Sequence, residues 1–106
     1  MDSSIIVSSM NDIPGKKVAK VLGIVRGNTV RSRNIGRDIA AVLKNIIGGE
    51  IKTYTELINQ ARDEAFNRMV NNAIAMGADA IIAMRFDISN VMAASSEVLA
   101  YGTAVK

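Results

Sequence analysis

The chain has 106 residues, 49% of them hydrophobic and 4% aromatic, and carries a net charge of +3, a composition that fits one globular domain with an aliphatic core. It contains no cysteine and no histidine, which excludes disulfides, thiolate chemistry, the usual zinc sites and the commonest general base. No apolar run approaches the roughly 18 residues of a spanning helix, and "MDSSIIVSSM" places an acid where a signal peptide needs a base, so a cytoplasmic protein is expected.

In chain order, the β-branched "IIV" of residues 5–7 predicts a first short strand. Pro14-Gly15 is a turn on its own chemistry. Residues 17–25 read as a second strand, with Gly23 marking a bulge, and Gly27-Asn28 reads as a break before "TVRSR" resumes in extended form. A helix is expected to open near Gly36 with Asn34 as its cap, Ile35, Ile39, Val42, Leu43 and Ile46 on one face, and Gly48-Gly49 as its stop.

A second helix opens at "TYTE", where Thr53 and Glu56 have the spacing of a capping box, and runs to Met76. Its buried stripe is predicted as Tyr54, Leu57, Ile58, Ala61, Ala65, Met69, Ala73 and Met76, with Glu64 and Arg68 as an i,i+4 pair on the far side. Gly77 is placed to end it in the left-handed conformation. Strict alternation over residues 80–88 puts Ala80, Ile82, Met84, Phe86 and Ile88 on one face, and Ile81, Ala83, Arg85 and Asp87 on the other. A small-residue loop, "SNVMAASS", leads to a last strand over residues 97–105, with Val98, Ala100, Gly102 and Ala104 opposite Leu99, Tyr101, Thr103 and Val105.

Both faces of these strands therefore carry apolar side chains. One layer of helix covers only one face, and so small a domain gains from added burial. The pattern predicts a homo-oligomer in which a neighbouring subunit covers the second face. The alternative is cover by the first helix of the same chain.

Charge is unevenly placed. Between Lys16 and Arg37 lie seven bases and no acid, leaving six bases and ten acids elsewhere. The most suggestive polar stretch is "VRSRNIGRD": a helix N-terminus at Gly36 beside Arg33, Asn34 and Arg37 is a candidate site for a small anion near a subunit boundary. The competing account pairs these arginines with acids such as Asp38 or a neighbour's Glu97.

Nucleic acid is disfavoured as a partner, because the basic segment lacks interleaved aromatics and recognisable binding signatures. Catalysis is disfavoured because there is no G-x-S-x-G elbow and no histidine to activate a serine. No cofactor is predicted. The acids are too scattered for a one-chain hard-ion site, so metal binding would need carboxylates gathered by symmetry. The methionines read as core filler.

Together, "IPGKKVAKVLGIVRGNTVRSRNIGRDIAAVLKNIIGGEIKTYTELINQAR", "GADAIIAMRFD" and "YGTAV" cover nearly the whole chain in order and resemble the YbjQ-like family. These small bacterial and archaeal proteins of unknown function carry a provisional heavy-metal-binding label. The resemblance implies an α+β domain with an antiparallel sheet packed against helices, similar to the dodecin subunit, assembled as a pentameric ring or a decamer of two rings. It brings no catalytic residues. Among the matching positions Arg37, Asp38, Tyr54 and Arg62 are the polar or amphipathic candidates for an interface or site, and Tyr101 joins them from the second face of the last strand. The expected protein is one domain over residues 1–106, a non-enzymatic ring with a binding or scaffolding role. Metal binding is the first alternative, and an enzyme with its site between subunits the second.

Overall fold

The computed structural model describes residues 5–31, 52–92 and 95–106. The elements are β1 (Ile6–Val7), β2 (Val21–Arg31), α1 (Lys52–Ala75), β3 (Ala80–Met92) and β4 (Ser95–Val105), the strands forming one sheet in the order β1-β3-β4-β2. The fold class is α+β. The expected antiparallel sheet needs one correction: β3–β4 and β2–β4 are antiparallel, but β1 lies parallel to β3, so the sheet is mixed. The helix predicted near Gly36 and its glycine stop lie outside the described residues.

Helix α1 packs on one face of the sheet, chiefly over β2 and β4. Ala61, Ala65, Met69 and Ala73 recur every fourth residue and are fully buried, with Val70 beside them. The alanines keep the helix close to the sheet, and Gly27 lets it come closer still. A Cβ at Gly27 would press into Met69 N and Ala65 O and lie 2.8 Å from Arg68 C, all of them helix backbone. This corrects the reading of Gly27-Asn28 as a break. Gly27 pairs with Ala100 in an unbroken ladder, and its missing side chain serves the helix crossing.

The stripe also needs adjustment. Met76 is 40% exposed, because it lies in the turn beyond the helix rather than on its buried face. Helix α1 already includes Lys52 and Thr53, which places Thr53 inside the first turn instead of at the cap. At the other end the prediction holds. Gly77 has φ +82°, its N–H donates to Ile74 O, and the Ala78 N–H donates to Ala73 O; these are the paired bonds of a glycine-terminated helix.

Strand β3 departs from alternation. The register shifts between Ile82 and Arg85, where Ala83 sits at φ +54°. This bulge carries the side-chain sequence across the sheet. Ile81 is therefore buried beside Ala104 on the helix side; Phe86 and Ile88 face the same side but are exposed, while Ala80, Ile82, Arg85 and Asp87 occupy the opposite side. The amides turned outward by the bulge hold the segment after β1: Ala83 N–H donates to Met10 O at 2.7 Å and Met84 N–H to Ser8 O at 3.0 Å. The bulge predicted at Gly23 is present, with a register shift between Val21 and Gly23 and φ +134°. Strand β4 alternates as expected, Val98, Ala100, Gly102 and Ala104 being buried on the helix side. The strands run on to Met92 and back from Ser95, into the stretch expected to be a small-residue loop.

Thr29 is the buried polar residue of this core, 2% exposed, and its hydroxyl has no hydrogen-bond partner among the described residues. Replacing a buried, unpaired hydroxyl with a methyl removes a desolvation penalty. Thr29→Val is therefore expected to hold or raise the thermal midpoint, and a clear fall would reveal a partner for the hydroxyl.

Candidate functional site

The open face of the sheet, away from α1, is organised in cross-strand rows by the ladder register. Ile24, Thr103 and Ile82 form one row, and Arg26, Tyr101 and Arg85 the next. Asn28, Leu99 and Asp87 follow, then Val30, Glu97 and Ser89. Ile24 is 80% exposed, Val30 54% and Tyr101 37%. A tyrosine between two arginines, framed by aliphatic side chains, has the composition of an interface core.

The polar groups on this face are partly fixed. Asn28 Nδ2 donates to Glu97 Oε2 at 3.0 Å, and Arg85 Nη1 donates to the carbonyls of Ser9 and Met84, each at 2.8 Å. Asp87 and Glu97 are diagonal neighbours on adjacent strands, a spacing that long side chains bridge. Two bases and two acids thus share the patch, which leaves it mixed in charge rather than basic.

The predicted site residues are not all brought together. Arg33, Asn34, Gly36, Arg37 and Asp38 lie outside the described residues. Tyr54 belongs to the first turn of α1, and its side chain is likewise outside the description. Arg62 is exposed on α1, where it lines a shallow groove with Asn59, Asp63, Phe66 and Phe86. The two phenyl rings there lie 6.5 Å apart, tilted by 37°. Arg62 stands on the helix side and Tyr101 on the open face, so one chain does not bring them together. Sequence reading had named Tyr101 but missed Arg26 and Arg85 as its neighbours, because only the strand register aligns residues so distant in sequence.

Arg68, expected to pair with Glu64 along the helix, also reaches the sheet: its Nη1 donates to Asn28 O at 2.6 Å, while Asn72 Nδ2 donates to Arg26 O at 2.8 Å. Both carbonyls belong to the edge strand β2, so two helix side chains occupy acceptors that the sheet edge would otherwise present.

No group of three or more metal-binding side chains occurs among the described residues. A soft or borderline heavy metal prefers thiolate and imidazole ligands, and the sequence has neither cysteine nor histidine. The donor set of a single chain therefore does not fit such a metal. No helix among the described residues is long and apolar enough to cross a membrane.

Comparison with known proteins matches residues 5–106 to the YbjQ family model, described as "Putative heavy-metal-binding". A UPF0145 protein of Archaeoglobus fulgidus is 51% identical over 106 residues, covering 100% of this chain and 98% of that protein. One from Vibrio parahaemolyticus is 54% identical over 101 residues, covering 95% and 96% respectively. Among solved structures, a protein of unknown function from Pediococcus pentosaceus, assigned to the DUF74 family, shares the fold. Its TM-score is 0.60 at 17% identity, over 95% of each chain. With its full-length identity to these archaeal and bacterial proteins and a family match reaching from Ile5 to the last residue, the chain belongs to the YbjQ-like, UPF0145 family.

Proposed function

We propose that the protein is a non-enzymatic homo-oligomer with a binding or scaffolding role, and that the open sheet face is a contact between its subunits. The observation that carries this reading is the exposure of Ile24, Val30 and Tyr101 on one continuous sheet face. Fully burying a side chain of that size contributes about 1.5–3 kcal/mol, which a second copy supplies without any new gene product. The mixed charges of Arg26, Arg85, Asp87 and Glu97 suit contact with another copy of this chain better than contact with a polyanion. The family resemblance points to five subunits. A small anion held by Arg33, Asn34, Gly36 and Arg37 near a subunit boundary is the ligand the sequence favours.

Native mass spectrometry of untagged protein is expected to give a multiple of the chain mass, and Ile24→Asp to shift it toward monomer while leaving the helical circular dichroism intact. A wild-type monomer at micromolar concentration would overturn the assembly. Arg33→Ala with Arg37→Ala is expected to abolish phosphate and sulfate binding in the intact oligomer.

A second reading is metal binding by carboxylates gathered across subunits. It is favoured by the neighbouring Asp87 and Glu97 on the same face and by the family description. Stoichiometric metal in untagged protein, lost in Asp87→Asn, would support it.

A further inference from the structure

At one end of the open face the sheet is covered by its own chain. Pro14 and Gly15 turn the backbone, with Gly15 at φ +80° and Lys16 N–H donating to Ile13 O at 3.0 Å. The segment then returns to the end of β4, where Ala19 and Lys20 donate to Lys106 O and Lys106 N–H donates to Lys20 O. This double attachment holds the loop over the sheet and leaves a cleft of about 240 Å³ beneath it.

The walls of the cleft are chemically divided. Ala80 and Val105, both buried, join the part-exposed Ile6, Ile13 and Val18 to make an apolar floor. Among the described residues, the rim carries Lys16, Lys17 and Lys106 against one acid, Asp79. The amides of Lys17 and Val18 donate to no protein acceptor among the described residues. Net positive charge and free N–H donors beside an apolar floor are complementary to an anionic head on a short hydrocarbon tail.

We propose that this cleft binds a small amphipathic carboxylate, its tail on the Ala80–Val105 floor and its head at Lys16 and Lys17. The volume equals that of about eight water molecules, which suits a tail of about six carbons. The described lining residues all lie outside the arginine stretch considered above.

Methyl NMR of the full chain, titrated with hexanoate, tests the proposal. Saturable shifts are expected at the Ile13, Val18 and Val105 methyls, with half-saturation in the millimolar range. Acetate lacks the tail and hexan-1-ol lacks the charge, so each is expected to bind about tenfold more weakly. Lys16→Glu combined with Lys17→Glu changes two exposed residues, and is expected to weaken hexanoate by about tenfold while leaving the hexan-1-ol response and the native mass unchanged. Hexan-1-ol binding as tightly as hexanoate, undiminished hexanoate affinity in the double variant, shifts confined to other methyls, or no saturable shift would each overturn it.

Discussion

Gly27→Ala is expected to cost about 3 kcal/mol or more, enough to leave much of the protein unfolded at physiological temperature. The added methyl meets the backbone of α1 at Ala65, Arg68 and Met69, and backbone cannot rotate away as a side chain would. Relief requires lifting the helix from the sheet, which separates Ala61, Ala65, Met69 and Ala73 from their partners together. The urea midpoint at fixed protomer concentration measures the loss, since assembly ties stability to concentration. Ala65→Gly should not rescue the variant, because the clash is with the Ala65 carbonyl oxygen. A midpoint within experimental error of the parent would mean that the helix does not cross β2 at this point.

Met69→Ala and Met76→Ala should differ sharply, although both positions fall on the same predicted helical stripe. Met69 is fully buried, and truncating such a side chain leaves a cavity costing about 2–5 kcal/mol. Met76 is 40% exposed, in the turn after α1, and its truncation is expected to cost less than about 1 kcal/mol. Equal losses at the two sites would mean that the helix continues past Ala75 with its buried face unbroken. Thermal midpoints of the two variants, compared at one protein concentration, decide the matter.

These cases show which features were legible in the sequence. Gly77, Pro14-Gly15 and Gly23 were read correctly, because each performs a local task that glycine or proline chemistry announces. The faces of β4 were legible because nothing interrupts its alternation. Gly27 was misread, since a glycine needed for close helix approach looks the same as a glycine that breaks a strand. The bulge at Ala83 left no signature, for alanine is not a residue that advertises positive φ. That one displacement moved Ile81 to the helix side and brought Arg85 into line with Tyr101. The arginines flanking Tyr101 come from β2 and β3, and only the ladder register, a long-range property, places them in one row.

The edge carbonyls occupied by Arg68 and Asn72 have a consequence for the order in which the chain acquires structure. Among the described strands, β2 pairs with β4 alone, from Val21 with Val105 through to Arg31 with Ser96. On the ribosome this pairing therefore waits until β4, more than sixty residues later, has emerged, and such distant pairings are the slow step of folding. Helix α1 emerges earlier. Its arginine and asparagine can reach the β2 backbone while the partner strand is still being made, shielding an aggregation-prone intermediate from other nascent chains. Substitution at Arg68 or Asn72 should then reduce soluble yield during synthesis more than it reduces the stability of protein already folded.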